Sequence, residues 1–206
     1  MTTLLEPTRL PVLSEEARNL LFTDARTANT FDVEPISDET LAEIWELAKW
    51  APTSANTQPL RVVFVRSDEG KKRLVPLMAE GNQAKTAAAP VTAILAADVD
   101  FHETIPHVFP IRPEMKDALE AAGAEVRENQ ARFNATLQAG YFILAARAAG
   151  LAAGPMGAYD ADAINKEFFD GTAHKTVLVV NLGHPGPDAW FPRNPRLPHD
   201  DVVSYA

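Results

Sequence analysis

The sequence predicts one domain of the α/β or α+β class. The chain has 206 residues, a length typical of one domain or slightly more, and 46% of them are hydrophobic, enough to bury a core. Short β-branched runs typical of strands alternate with segments whose apolar residues recur every three or four positions, as in helices. No internal repeat or linker-like stretch divides the chain, so we expect a single domain over residues 1–206.

Each element is predicted from its own local signals. A serine or aspartate followed by acids marks a helix start, and a β-branched run after a proline marks a buried strand. In chain order these signals predict a helix from Ser14 to about Asp24, a helix from Ser37 that Pro52 ends, a strand at 61–65, helices at 68–78 and 83–88, a strand at 91–97, helices at 114–122 and 129–149, a short strand at 151–153, a helix capped by Asp160 and ending at Phe168, and a strand at 176–182.

Three segments carry unusual patterns. Residues 102–113 contain three prolines and no periodicity, which predicts a loop or a lid. The 129–149 helix has Phe133, Leu137 and Tyr141 on one face and alanine or glycine almost everywhere else, so we expect it to be buried all round. Residues 183–198 contain five prolines and should cross the surface, held by specific contacts.

Composition excludes several classes of function. The absence of cysteine rules out disulfides, thiolate nucleophiles and iron–sulfur clusters. A net charge of −9 without a basic cluster argues against nucleic-acid binding. The amino terminus lacks a signal-peptide pattern and no uncharged run is long enough to cross a bilayer, so we expect a cytoplasmic protein that does not enter the membrane.

Familiar catalytic motifs are also missing. His102, Glu103 and His107 resemble a zinc motif, but the histidines are five apart with Pro106 between them, so we expect no metal site. The glycines of 150–157 follow a helix rather than a strand, which is the wrong context for a dinucleotide fingerprint. The chain has no phosphate-binding G-x-x-x-x-G-K-[ST] loop and no G-x-S-x-G elbow.

Polar residues at the ends of predicted elements remain as candidates. They lie at 26–29, at 53–58, at Asn82 and Lys85, and at 194–196. Taken alone, such residues are more often caps and turns than ligands, because their side chains readily satisfy nearby backbone groups. A dimeric scaffold with ordinary helix ends is therefore one interpretation of these residues.

In order and spacing, however, these segments resemble the FMN-dependent nitroreductase family over nearly the whole chain. The most specific motif is Ala51-Pro-Thr-Ser-Ala-Asn-Thr-Gln-Pro59, supported by Arg26-Thr-Ala-Asn-Thr-Phe31, Ala145-Ala-Arg-Ala-Ala-Gly-Leu151 and Pro195-Arg-Leu-Pro198. Within the family, the chain looks closest to the malonic semialdehyde reductase subgroup of pyrimidine catabolism. That likeness comes from the 52–56 segment and from 82–86, 153–156 and 181–183.

The resemblance implies an α+β fold with a central, mostly antiparallel sheet packed by helices and completed by homodimerisation, with one FMN at each subunit interface. Carried over by position, Arg26 and Arg196 would hold the phosphate with Thr27 beside them. Asn29, Asn82 and Lys85 would approach the pyrimidine edge of the flavin. The remaining contacts implied are Pro52, Thr53, Ser54 and Asn56 from the other subunit, and Pro155, Met156 and Gly157 along the ring on the side of N5.

The chain departs from the family at two positions, since Ala25 and Asn29 stand where the family often has basic residues. The chemistry implied needs no acid–base residue on the hydride path, because N5 of FMN carries the hydride from NADH or NADPH to the acceptor. An ammonium and amide donors would stabilise the negative charge of reduced flavin, and arginine suits a phosphate. For a substrate that bears a carboxylate, Arg112 in the predicted loop is the candidate cation.

The resemblance therefore implies an FMN-dependent NAD(P)H oxidoreductase that reduces a small electrophile. The acceptor is expected to be malonic semialdehyde, reduced to 3-hydroxypropionate, or alternatively a nitroaromatic compound or a quinone. The departures at Ala25 and Asn29 leave a second hypothesis open, a module that binds flavin without turnover.

Overall fold

The computed structural model describes residues 10–206, so the prediction about the extreme amino terminus lies partly outside the described residues. The α-helices in this range are α1 (Glu15–Arg18), α2 (Asp38–Ala48), α3 (Asp68–Leu74), α4 (Glu80–Ala88), α5 (Ile105–Val108), α6 (Met115–Ala122), α7 (Ala124–Ala148) and α8 (Ala161–Phe168). A π-helical turn extends α1 over Asn19–Thr23, and short 3₁₀ turns lie at Ser54–Asn56, Val75–Leu77, Phe101–Thr104 and His199–Asp201.

One antiparallel sheet forms the centre of the molecule. Its strands are β1 (Leu60–Val65), β2 (Val91–Asp98), β3 (Ala152–Met156) and β4 (His174–Gly183), in the spatial order β1-β2-β4-β3. Every pairing between neighbours is antiparallel. The antiparallel order confirms the α+β alternative and puts β1 and β3 at opposite edges of the sheet.

Helices cover both faces of the sheet. On one face Ile44 of α2 and Phe142 of α7 pack against Leu95 and Val180. On the other face Leu74 of α3 and Ile164 of α8 pack against Ile94, Val179 and Met156. Alternate residues of a strand point to opposite faces of the sheet, and both faces are buried along all of β2 and along the second half of β4.

Local signals place most helix ends correctly. The hydroxyl of Ser14 accepts from Ala17 N at 3.1 Å, and that of Ser37 accepts from Thr40 N at the same distance. Asp160 caps α8 by accepting from Ala163 N at 3.0 Å. Gly150, at φ +81°, follows α7 in the left-handed conformation that ends a helix. Residues 75–77 turn as a 3₁₀ helix after α3, and α4 begins three residues earlier than predicted.

The prediction of an irregular loop at 102–113 is wrong in its first half. Residues 101–104 form a 3₁₀ turn and 105–108 form α5. Pro106 lies in the first turn of α5, where a helix needs no backbone N–H from that residue. The segment is anchored by buried His102, whose Nε2 lies 2.8 Å from Glu120 Oε2 of α6.

The prediction for α7 is wrong in two respects. The helix begins at Ala124, directly after Gly123, rather than at Asn129. It is also not buried all round, because Phe133 is 63% exposed, and Leu137 and Tyr141 also lie at the surface. The face that α7 buries carries alanines, Asn134, Gln138 and Phe142 instead. Within residues 10–206, no helix is both long enough and apolar enough to cross a membrane.

Candidate functional site

Three arginines converge on a small cavity at the surface beside β3. The cavity has a volume of about 180 Å³ and is lined by Ala25, Arg26, Thr27, Asn29, Phe191, Pro192, Arg193, Asn194 and Arg196. No carboxylate is among these residues, and none of the three guanidinium groups forms an ion pair with another described residue. The cavity therefore offers positive charge without a built-in counter-charge, which is the chemistry that an anion requires.

Two chain segments cross to form this cavity. Arg26 Nη1 donates to the carbonyl of Phe191 at 3.1 Å, and Arg193 Nη2 donates back to the carbonyl of Ala25 at 3.2 Å. The backbone N–H of Asn29 donates to Ala189 at 3.0 Å. Arg196 is held by the carbonyls of its own turn, since Nη1 lies 2.9 Å from Asn194 O. These contacts confirm that the proline-rich ending is fixed by specific contacts.

Gly154 allows the first of these segments to lie against β3. Ala28 N donates to Ala153 O at 3.1 Å, which ties residues 26–29 to the outer edge of the strand. A Cβ at Gly154 would lie 2.8 Å from the carbonyl oxygen of Ala28, too close for any other residue type without a shift of the backbone. The absence of a side chain at Gly154 therefore determines where Arg26 is placed.

A larger cavity on the other side of Arg26 has a different character. Its volume is about 780 Å³, and Leu20, Leu151 and Trp190 contribute apolar surface to it. Glu15, Glu16 and Asp24 line it together with Arg26 and Arg147. Because three acids accompany the two arginines, a phosphate is better suited by the smaller cavity, which no carboxylate lines.

The amino-terminal half of α4 packs against the segment that follows β3. Asn82 Nδ2 donates to the carbonyl of Ala158 at 3.0 Å, and Ala79 N donates to the same carbonyl at 3.2 Å. Asn82 therefore lies next to Gly157, the last residue of the predicted 155–157 contact. Lys85, one helical turn further on, is partly buried and forms no ion pair within the part of the chain that the structure describes.

The 53–58 loop is held in an unusual backbone conformation. Ala55, Asn56 and Gln58 have φ values of 49°, 53° and 45°, in the left-handed region that non-glycine residues rarely adopt. Such strain persists only where the surroundings enforce it, and it concentrates at functional sites. Asn56 Nδ2 donates to the carbonyl of Val108 at 2.7 Å, which joins the loop to α5.

Two buried amides on α7 enforce this conformation. Asn134 Oδ1 accepts from the backbone N–H of Ser54 at 2.8 Å, and Gln138 Oε1 accepts from that of Leu60 at 2.9 Å. The two side chains are four residues apart, so they lie on the same face of the helix. They hold the loop at both ends, before and after its left-handed residues.

Within one chain, the predicted site residues form two groups that do not meet. The arginine cavity and the 155–158 segment lie at the β3 edge of the sheet, whereas the 52–59 loop leads into β1 at the opposite edge. Three strand spacings of about 4.8 Å separate these edges, so the groups are roughly 14 Å or more apart.

Arg112 and the histidines of the zinc-like motif are the remaining candidates. Arg112 is exposed, and its Nε donates to Glu114 at 2.8 Å. His107 is exposed, while His102 is buried against α6. Among residues 10–206, no three histidines or acids gather in a way that would hold a metal ion.

Sequence reasoning missed three residues of this arrangement. Arg193 joins Arg26 and Arg196, and its signal was a second arginine three positions from Arg196 in the same proline-rich segment. Asn134 and Gln138 were overlooked as helix interior residues. Two amides spaced four apart on a face otherwise made of alanine and phenylalanine were the available signal.

Known proteins resemble this chain in sequence and in fold. Residues 23–184 match the model of the Nitroreductase family. A Streptomyces coelicolor protein with the provisional name NADH dehydrogenase/NAD(P)H nitroreductase is 55% identical over 197 residues, which cover 96% of this chain and 97% of that protein.

Solved structures share the fold at lower sequence identity. A provisional nitroreductase from Bacillus subtilis superposes with a TM-score of 0.82 at 23% identity, covering 94% of this chain and all of the other. A provisional nitroreductase from Exiguobacterium sibiricum, solved in complex with FMN, gives a TM-score of 0.80 at 23% identity and covers 95% of this chain and 99% of the other. At this level of identity, these structures are evidence for the fold alone.

Proposed function

Because the chain belongs to the nitroreductase family, we propose that it is an FMN-dependent NAD(P)H oxidoreductase that reduces a small electrophile. The observation that carries this proposal is the convergence of Arg26, Arg193 and Arg196 on a cavity lined by no carboxylate. When bound, FMN supplies the hydride chemistry, accepting a hydride from NADH or NADPH and passing it to the acceptor.

The arginine cavity fits the phosphate of FMN. Its planar guanidinium groups can donate two hydrogen bonds in parallel to phosphate oxygens and stay charged at any working pH. Thr27 and Asn29 add neutral polar groups to the same wall. Arg193, which donates to the carbonyl of Ala25, supplies a cation close to the position where the family often has a basic side chain and this chain has Ala25.

Residues on α4 and after β3 suit the ring of the cofactor. Asn82 and Lys85 would offer an amide and an ammonium group to the pyrimidine edge, where reduced flavin carries negative charge. Pro155, Met156 and Gly157 would follow the ring on the side of N5. A Cβ at Gly157 would have no atom within 4 Å, so the surface there is open to a ligand.

The second half of the site would come from another copy of the chain. The strained loop that contains Pro52, Thr53, Ser54 and Asn56 lies at the far edge of the sheet from the arginine cavity. An exposed apolar stripe on α7, formed by Val126, Phe133, Leu137 and Tyr141, supplies a surface for self-association. We propose a homodimer in which the loop of each subunit completes the cofactor site of its partner.

The acceptor is proposed to be malonic semialdehyde, with nitroaromatic compounds and quinones as the alternative class. The names of the relatives favour the alternative, because they refer to nitroreductase activity. Arg112 is the candidate partner for the carboxylate of malonic semialdehyde. It would have to exchange its hydrogen bond to Glu114 for one to the substrate.

Cofactor binding by variants tests the phosphate assignment. We expect Arg196→Ala and Arg193→Ala each to weaken FMN binding by roughly tenfold to a hundredfold, the effect of losing a charged hydrogen bond. Arg66→Ala is the matched control, because Arg66 is exposed and pairs with Asp38 in a different part of the molecule. The assignment is wrong if all three variants bind FMN as the unmodified protein does, measured by flavin fluorescence quenching.

Turnover distinguishes the candidate activities. The purified protein should take up FMN, show the visible spectrum of a flavoprotein and oxidise NADH or NADPH when an acceptor is present. Comparing malonic semialdehyde with a nitroarene on one preparation then identifies the acceptor class. Flavin uptake without NAD(P)H oxidation would instead indicate a binding module, and a protein that takes up no FMN would overturn the proposed function.

A further inference from the structure

Lys71 of α3 directs its ammonium group into the molecule rather than toward solvent. Nζ donates to the carbonyl of Thr86 at 2.8 Å and to the hydroxyl of Thr92 at 2.6 Å, and both threonines are completely buried. Burial lowers the pKa of Lys71 to about 8. A cation held inside a protein without a counter-charge is costly, so its contacts need an explanation.

Pro90 explains why the Thr86 carbonyl needs this donor. In an α-helix the carbonyl of one residue accepts from the N–H four residues later, and here that residue is a proline, which has no N–H. The preceding bond of α4 is present, since Ala89 N donates to Lys85 O at 3.1 Å. Lys71 therefore replaces the missing donor in the last turn of the helix that carries Asn82 and Lys85.

The second contact of Lys71 leads to Met156 through a chain of hydrogen bonds. Because the Thr92 hydroxyl accepts from Lys71, its own hydrogen is directed to Asn181 Oδ1, 2.8 Å away. That bond turns the amide nitrogen of Asn181 toward the Met156 sulfur at 3.7 Å. The hydroxyl of Thr86 lies at the same distance from the sulfur. Thr92, Asn181 and Thr86 are all completely buried.

We propose that Lys71 is a positioning residue of the cofactor site, which fixes α4 through Thr86 and orients Met156 through Thr92 and Asn181. This inference rests on the proposed function, which puts Lys85 and Met156 on two sides of the flavin. A single buried ammonium group would thereby hold the helix at the pyrimidine edge and the strand beside N5 in a constant relation to each other.

Other charged groups near α3 do not share the surroundings of Lys71. Among the described residues, no charged side chain forms an ion pair or a hydrogen bond with the ammonium group of Lys71, whose partners are Thr86 and Thr92. The charged or titratable residues on α3 and on the elements around it are Asp68, Glu69, Lys72, Arg73, Glu80, Lys85, Arg61, Arg66, Asp98, His174, Lys175, Asp162, Lys166, Glu167 and Tyr159. If the environment of Met156 changes with a midpoint near pH 8, we therefore assign the titrating group to Lys71. Replacing Lys71 checks this assignment.

The Met156 methyl group reports directly on this network. The chain has four methionines, so ¹³C-methyl labelling of the full-length protein as purified gives few signals, and Met156→Leu assigns the relevant one. Between pH 7 and 9.5 we expect this signal to shift with a midpoint near the pKa of about 8. Lys71→Arg should abolish the shift while keeping both hydrogen bonds, because a guanidinium group stays charged throughout this range.

Cofactor affinity supplies the second readout. Lys71→Leu leaves the Thr86 carbonyl without a donor and frees the last turn of α4, so we expect the helix that carries Asn82 and Lys85 to shift and FMN to bind roughly tenfold more weakly. Lys71→Arg should bind FMN nearly as well as the unmodified protein does. Lys72→Leu is the matched control, because Lys72 is the exposed neighbour on the same helix, and this variant should keep both the methyl titration and the affinity.

The outcomes separate this inference from the proposed function. If Met156 does not titrate, if it still titrates near pH 8 in Lys71→Arg, or if Lys71→Leu binds FMN normally, the positioning role is wrong and the oxidoreductase proposal stands. If Lys71→Leu does not fold, the Lys71→Arg titration still decides the question. An unmodified protein that binds no FMN overturns the proposed function and this inference together.

Discussion

Gly154 shapes the proposed cofactor site because it has no side chain. Its missing side chain lets the carbonyl of Ala28 approach β3, and that approach positions Arg26 over the small cavity. A glycine in a strand interior usually weakens the strand, since it has no side chain to pack. The presence of glycine at position 154 is explained by the close approach of the backbone of Ala28.

Replacing Gly154 with alanine should therefore act on both stability and binding. The added methyl group would meet backbone rather than a flexible side chain, so we expect a loss of about 1–3 kcal/mol in unfolding free energy. The displaced 26–29 segment should also weaken FMN binding. Urea denaturation and flavin titration measure the two effects.

Gly81→Ala serves as the comparison for this substitution. Gly81 lies in α4, and no atom lies within 4 Å of the position that its added methyl group would take, so the variant should be as stable as the unmodified protein or slightly more stable. Equal stabilities for Gly154→Ala and Gly81→Ala would contradict the packing argument.

At the scale of elements, α7 both contributes to the core and holds the 53–58 loop in place. Its alanine-rich face packs on the sheet, and within that face Asn134 and Gln138 accept from Ser54 and Leu60. A buried amide offers what an apolar side chain would not, a fixed acceptor for a backbone N–H in the strained loop. The energy stored at Ala55, Asn56 and Gln58 is thus balanced by contacts on another element.

Asn134→Ala should release one end of the loop. The N–H of Ser54 would lose a partly buried hydrogen bond, which costs about 0.5–1.5 kcal/mol of stability. We expect FMN binding to weaken as the loop leaves its left-handed conformation. Asn129→Ala, an exposed position on the same helix, should change stability by less than about 0.5 kcal/mol. A loop that keeps its conformation and affinity in Asn134→Ala would rule out this role of α7.

The elements also show what a sequence can predict and what it cannot. Caps such as Ser37 and Asp160 act within a few residues, so the starts of α2 and α8 are readable from local patterns. The orientation of α7 depends on which face meets the sheet. The sequence alone does not show which face that is, although one side of α7 carries alanine and the other carries Phe133 and Tyr141. Large apolar residues can pack against the sheet or against a second chain.

The candidate site follows the same division. Motifs that are contiguous in the chain, such as 26–29 and 52–59, were identified from sequence. Lys71, Asn134 and Gln138 were not, because their partners Thr86, Ser54 and Leu60 become neighbours only when helices pack on the sheet. The role of Arg193 likewise depends on the crossing of two segments that are 168 positions apart.

At the scale of the whole molecule, the two groups of site residues lie at opposite edges of one sheet. This separation predicts trans-complementation between two variants of the proposed dimer, assayed at an FMN concentration too low for either variant alone to bind it appreciably. Arg196→Ala damages the arginine cavity, and Asn56→Val damages the loop, since a β-branched residue strongly disfavours the φ of 53° found there.

Mixed dimers of these variants should recover activity. Each contains one site with both defects and one with neither, so an equimolar, fully exchanged mixture should reach about one quarter of the unmodified NAD(P)H oxidation rate. A mixture of Arg66→Ala with Asn56→Val gives the upper reference for the recovered NAD(P)H oxidation rate, because the arginine cavity is intact in both of these variants. No recovery after exchange, verified by mass spectrometry of the assembled species, would mean that the loop serves its own chain.

The distance between the two sheet edges also has a thermodynamic consequence. A ligand that needs residues from both copies binds the assembled pair and not the separated chains, so assembly and cofactor uptake are linked and each favours the other by the same factor. At a fixed concentration of free FMN, diluting the protein should therefore lower the fraction of sites that hold FMN in the proposed dimer, and adding FMN should restore the pair. Occupancy then depends on protein concentration, whereas a complete pocket on a single chain would respond to the concentration of free FMN alone.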